Sequence, residues 1–358
     1  MSTYAVTSRA ERPRSATGAG TGMLLRFLLR RERFTLPWWL LGIVFLFAYQ
    51  SAGSQSIYDT PQELAKLRQT MGGNSAVVAM SGPTELLETI GGEVLFEILG
   101  YLAIVVAPMN MFLVGRHTRS EEETGRAELI RSARIGRRAP VAAALSLALA
   151  ADVLMGVLVF GAGAGTGLPA GGSLLVGAAM AASGMFFAAL TAAAVQVFES
   201  ARTAYGVVTA VLGAAFVLRA IGDVGDGTVS WASPIGWAQR TFPYTEDRWW
   251  PLLLPLLGAA ILAAVAFTLL ERRDFAAGLL PPRVGEQAQR ERARKEHEVN
   301  RCRSRRPRRG SRGGTSSGPR SNSSTPSRWR SWTKATPNGG WTPSSTTGSS
   351  SRRGARRR

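Results

Sequence analysis

The chain predicts an all-α integral membrane protein with six spans, on three observations. Long charge-free runs recur through residues 34–270, charged or glycine-rich stretches separate them, and arginine is concentrated in alternate loops. A helix of about 20 apolar residues crosses the hydrocarbon core and satisfies its own backbone there.

Residues 1–20 are polar and are expected to be a disordered amino terminus. The segment MLLRFLLRRERF, 23–34, then alternates apolar residues and arginines at helical spacing, which suits an amphipathic helix lying in the membrane interface. Next, 25 uncharged residues separate Arg33 from Asp59 and place the first span at 35–53. Its polar leader exceeds thirty residues and its apolar run is too long for a signal peptide, so an uncleaved anchor is expected.

Eighteen uncharged residues between Glu97 and Arg116 give a second span at 98–115. Between Asp152 and Glu199 lie 46 more, interrupted by GAGAGTGLPAGG at 161–172, which reads as a turn. Spans three and four, 139–161 and 172–195, are therefore expected to form a tight hairpin. Only 16 uncharged residues separate Arg202 from Arg219, so a fifth span at 203–221 needs its flanking arginines to snorkel. The sixth, 250–270, lies within the 22 residues between Arg248 and Glu271.

Orientation follows from Arg and Lys in the loops. Seven arginines precede the first span and seven more lie in 116–138, whereas loops 54–97, 162–171 and 222–249 hold only Lys66, Arg68, Arg240 and Arg248. Both termini are thus predicted to be cytoplasmic. Trp231, Trp237, Trp249 and Trp250 are expected to anchor the outer interface.

The loop RHTRSEEETGRAELIRSARIGRR, 116–138, also carries four glutamates, which a positive-inside bias alone leaves unexplained. Ser120 and Glu123 make a capping box, Glu122 with Arg126 and Glu128 with Arg131 can pair across a turn, and Leu129, Ile130 and Ala133 form an apolar stripe. A short cytoplasmic helix is predicted. Within the spans, Gly177, Ala181, Gly184 and Ala188, and separately Gly206, Ala210 and Gly213, form small-residue stripes suited to close helix packing. Asp152 is the one acid well inside a predicted span, a candidate polar site or a structural contact.

Catalytic motifs are missing. His117 and His297 are the only histidines and Cys302 the only cysteine, so neither an HExxH zinc helix nor a cysteine metal site can form. No lysine follows a glycine, so there is no phosphate-binding P-loop, and any ATP would be hydrolysed by another chain. The carboxy-terminal stretch has another character: from Pro281 onward there is no Leu, Ile, Phe, Met, Tyr or Asp, and residues 286–358 carry +16 of the chain's net +19. Residues 284–358 are expected to be a disordered basic tail. Two origins stay open: a tether to anionic phosphates, or a GC-rich reading frame translated out of register.

The segments LPWWLLG (36–42), RHTRSEEETGRAEL (116–129), ESAR (199–202), LRAIGD (218–223), SWASPIGWAQR (230–240), DRWWPLLL (247–254) and RRDFAAGLLPPR (272–283) together resemble the permease subunits of type-2 ABC exporters, in the actinobacterial polyketide-antibiotic group. The resemblance covers about residues 20–283 and implies a plasma-membrane efflux permease, itself no enzyme, driven by a separate ABC ATP-binding subunit. ATP would sit on that partner, with no cofactor in this chain, and the cargo would be a hydrophobic or amphipathic small molecule; nucleic acid is not an expected partner. By position, 23–34 becomes the connecting helix. Arg119, Glu121, Glu122, Glu123, Gly125, Arg126, Glu128 and Arg131 fall in the coupling element that docks on the ATPase. Members of the group usually continue into a second set of six spans, whereas here the resemblance ends at Arg283. That implies either a half-permease needing a second copy or second half, or a truncated product.

Overall fold

A computed structural model of the chain describes residues 20–58, 60–123, 136–272 and Arg294. The expected disordered ends, and most of the coupling loop, lie outside the described residues.

Among the described residues, six helices are long and apolar enough to cross a membrane. They are α2 (Thr35–Ile57), α5 (Ile90–His117), α7 (Ala139–Gly165), α8 (Ala170–Val197), α9 (Ala201–Val224) and α11 (Leu253–Arg272), preceded by the amphipathic α1 (Thr21–Glu32). Short helices α3 (Pro61–Gly72) and α4 (Ser75–Ser81) lie between α2 and α5, α6 (Arg119–Glu123) follows α5, and α10 (Pro234–Gln239) lies between α9 and α11. The integral membrane, all-α reading therefore holds, with every span found close to its expected position.

Burial sorts the spans into layers. Some 72% of the apolar window of α5 and of α8 is buried inside the chain, against 22% for α2 and α11 and 28% for α9. The pair α5 and α8 is thus the core, and the others wrap it. In lipid that arrangement depends on close packing, and glycine supplies it. Gly156 on α7 and Gly177 on α8 oppose each other so tightly that a methyl group on Gly156 would lie 2.8 Å from the Gly177 carbonyl oxygen. Ala188 of the same stripe is fully buried. By contrast Gly206 and Gly213 on α9 meet open space, so the second small-residue stripe packs nothing within this chain.

Several expectations are corrected. Helix α5 starts at Ile90, eight residues before the charge-free run, because Thr89 caps it by accepting from Gly92 N at 3.0 Å. Glu93 and Glu97 consequently belong to the span, and Asp152 is not its only kind of acid. Gly161, Gly163 and Gly165 are helical in α7, and only Gly167, at φ 91°, makes the reversal. The 54–97 segment, read as a loop, carries α3 and α4. Thr60 and Glu63 form a capping box on α3, and the Asn74 side chain accepts from Ala76 N and Val77 N to cap α4.

Arg219 does not snorkel. It is fully buried, donating to the carbonyl oxygens of Ala79, Met80 and Ser81 at 2.8, 3.1 and 3.1 Å, where the exposed carbonyls ending α4 attract a cation. Asp223 lies 3.4 Å from it and 3.8 Å from Arg240, and accepts from Ser230 Oγ at 3.1 Å. Nearby, Tyr244 plugs the same end of the bundle. Its ring fills the space that Cβ atoms on Gly91 and Gly172 would need, and its hydroxyl lies 3.0 Å from Ser173 Oγ. Trp231 stacks on Trp250 at 5.1 Å and Trp237 packs edge-on against Phe186, both partly buried. Trp249 and Trp250 are about half exposed.

Candidate functional site

The end of the bundle that carries α1 gathers the ionic groups named in the charged loop. On α1, Leu24, Leu28 and Glu32 are buried at spacing i, i+4, i+8, one face of a helix. Met23, Phe27 and Leu29 on its other faces are exposed, together with Arg26 and Arg30. An exposed apolar surface interleaved with arginines suits a headgroup boundary, which leaves Glu32 as the one polar group turned inward.

Glu32 is 2% exposed and holds the last turn of α5. Its Oε2 accepts from Arg116 Nη2 at 2.8 Å, and its Oε1 from His117 Nε2 at 2.7 Å. Burial alone would raise the carboxyl, but the hydrogen bond from His117 and the charges of Arg116, His117 and Arg31 outweigh it and hold the group below its ordinary 4.5. One turn on, Arg31 forms an ion pair with Glu121. The charged loop is therefore joined to α1 twice within six residues.

Two further contacts fix the loop to the core helices. Arg119, 2% exposed, donates from Nε to the Glu199 carbonyl at 2.8 Å, in the elbow between α8 and α9. The Ser120 hydroxyl lies 3.5 Å from that of Tyr205, whose ring occupies the space beside Gly115. The loop's return is also tied down: Arg138, just before α7, pairs with Glu271 near the end of α11. Movement of 119–121 must therefore be felt by α1, α5 and the α8–α9 elbow together. The cavity beneath α1, lined by Phe27, Arg31, His117 and Glu121 among others, measures about 30 Å³, room for little more than water.

Of the coupling residues expected from sequence, Arg119 and Glu121 are brought into this cluster, both turned into the body. The side chains of Glu122 and Glu123, and all of Gly125, Arg126, Glu128 and Arg131, lie outside the described residues. Sequence reasoning missed Glu32 and Arg31 as partners of the loop, and Arg116 and His117 as the loop residues that Glu32 holds. The available signal was Glu32 itself, a lone acid among arginines in register with Leu24 and Leu28.

Asp152 is separate from this cluster. It is completely buried between α5, α7 and α8, where its Oδ1 accepts from Asn110 Nδ2 at 2.8 Å. Gly184 makes the room, since a Cβ there would strike both the carboxylate and the Asn110 amide, at 2.7 Å from Nδ2. No ion pair engages it among the described residues.

Six apolar helices, four of them around a buried pair, with an amphipathic helix fastened to one charged end, define a multi-pass membrane protein. A family model described as the C-terminal domain of the multidrug efflux system permease Rv1217c matches residues 23–270. The multidrug efflux system permease protein Rv1217c of Mycobacterium tuberculosis (strain ATCC 25618 / H37Rv) is 40% identical over 267 residues, covering 74% of this chain and 48% of the relative. The chain belongs to this family of multidrug efflux permeases, and it spans about half the length of the curated relative it matches.

Proposed function

We propose that the chain is the membrane half of an ATP-driven exporter that removes hydrophobic or amphipathic compounds, polyketide antibiotics among them, from the cell. The α1 end faces the cytoplasm with both termini, in keeping with the arginine bias of the loops. A separate ATP-binding subunit docks on the 117–135 segment. Its closure on ATP moves that segment, and the helices switch between inward and outward access. A second copy, or a second six-span half, completes the pathway, in keeping with the half-length match to the relative.

One observation supports this reading above the others: the loop between the second and third spans is fastened at Glu121 to α1, at Arg119 to the α8–α9 elbow and at Arg138 to α11. An ordinary connecting loop has no need of two ion pairs and a charge-assisted hydrogen bond to three separate parts of the bundle. Co-expression with a candidate ATP-binding subunit tests the proposal. A stable complex is expected, to be lost when Glu122 and Glu123 are both replaced by lysine. Persistence of the complex in that variant, with normal export, contradicts it.

A further inference from the structure

The α2–α5 seam holds a second, acidic cluster that the coupling mechanism does not use. Glu93 and Glu97, one turn apart on α5, both act electrostatically on Tyr58 at the end of α2, so the three groups lie together. Glu93 is 1% exposed; the Ser54 hydroxyl lies beside it, but neither carboxylate oxygen has a donor with hydrogen-bond geometry among the described residues. Glu97 is exposed, and Gln50 Nε2 on α2 donates to it at 2.6 Å. No ion pair engages either acid among the described residues.

Two carboxylates with no countercharge are costly inside a membrane span. The amino-terminal dipole of α5 helps Glu93 in its first turn, but its effect fades before Glu97. A cation from outside the chain would satisfy Glu97, the acid that lies exposed on the seam.

The rest of the seam specifies the kind of cation. Phe34, Trp38, Trp39 and Gly42 face Val105 of α5 across a laterally open cleft of about 460 Å³, within the range of small-molecule sites. Gly42 is eight residues from Gln50, and Val105 eight from Glu97, so cleft and acids share one face about 12 Å apart along both helices. Phe45 and Tyr49, stacked at 5.9 Å, are exposed on the stretch of α2 between them. Aromatic faces attract cations as well as apolar bodies.

We propose that the α2–α5 seam binds a lipophilic organic cation, its charge against Glu97 and its apolar body along the exposed aromatic side chains of α2, Tyr49 and Phe45 first. This names a substrate class for the export reading and rests on that reading only for the purpose of binding.

The test is equilibrium binding to the purified full-length chain in phosphatidylcholine nanodiscs. Tetraphenylphosphonium is the probe, and tetraphenylborate, of the same shape and opposite charge, is its control. Saturable binding of the cation but not of the anion is expected. Glu97→Gln should weaken cation binding about tenfold, the loss of one close charge pair in a partly dry site. Glu97→Lys should reverse the preference toward the anion, a gain that only a folded protein can show. Glu88→Gln, at an exposed acid paired with Arg68, should change neither. Equal binding of both ions, or cation binding indifferent to both changes at Glu97, overturns the proposal. No ATP-binding subunit is present in this experiment, so failure here with an intact complex and transport removes the cation site alone.

Discussion

Glu32 on α1 and His117 at the end of α5 stand 85 positions apart in sequence, yet their Oε1 and Nε2 atoms are 2.7 Å apart in a buried contact. This pair, with Arg116, converts an interfacial helix into part of the membrane body. Removing the carboxylate strands the Arg116 guanidinium and leaves the buried His117 ring without its partner, so Glu32→Ala should destabilise the protein by about 3 kcal/mol, the cost of breaking a buried ion pair from one side. Thermal unfolding in detergent measures it. The Glu32→Gln variant should recover part of the loss through its amide oxygen.

The same contact sets a pH dependence. The folded carboxyl lies below its ordinary 4.5, so its stabilisation is fully present above that value and is lost as pH falls through the lower folded value. Unfolding followed from neutral to acidic pH should show a steeper decline in the unaltered chain than in Glu32→Gln. Parallel curves would remove the carboxylate from the account.

At the opposite end, Tyr244 behaves as a fitted plug. Burial first, with the nearby Asp247 carboxylate, pushes its phenol up to about 12 from 10.0, against the opposing pull of the Ser173 hydrogen bond. Stability from the neutral phenol is present below 10 and is lost as pH rises through about 12, which ultraviolet titration of tyrosinate follows. Tyr244→Phe should cost about 1 kcal/mol, one neutral hydrogen bond. Gly172→Ala should cost more, because the added methyl group meets the ring.

Arg219 holds α4 by three carbonyl oxygens divided between its two terminal nitrogens, a planar fork that the single nitrogen of a shorter lysine does not reproduce. Arg219→Lys should therefore loosen α4 while the spans stay intact. Limited proteolysis within residues 72–89 checks this, with faster cleavage expected in the variant than in the unaltered chain.

Asp152 and Gly184 form a tight pair across α7 and α8. Gly184→Ala should cost about 1–3 kcal/mol as an overpacked junction. Asp152→Asn keeps volume and hydrogen bonding, so it should fold normally. If the variant still supports export, Asp152 is a packing group; loss of export with unchanged unfolding temperature would make it a transport residue.

Much of this fold was legible because lipid imposes one simple rule, long apolar helices, and charge spacing reveals their limits. Where that rule failed, a charge had been taken into a helix for a specific reason. Glu93 and Glu97 lie inside α5 because Thr89 caps it early, and Arg219 lies inside α9 because the carbonyls of α4 receive it. The Thr89 cap stands only four residues before Glu93 and was there to be read, but the α4 carbonyls lie about 140 positions from Arg219, so spacing gave no sign of them. The site was legible to a similar degree: Arg119 and Glu121 stood out in a dense charged loop. Their partners Arg31 and the Glu199 carbonyl depend on tertiary contacts 90 and 80 positions away. Tyr244 passed unnoticed because its fit depends on the absence of side chains at Gly91 and Gly172, on two other helices.

The central claim is that the charged end faces the cell interior, where a partner can drive it. Replace Cys302 by serine, introduce one cysteine at Ala127 in the loop or at Asp226 in the far turn, and treat intact cells with a membrane-impermeant maleimide. Asp226→Cys should react at once, and Ala127→Cys only after the cells are permeabilised. Reaction of the Ala127 variant in intact cells would contradict the account.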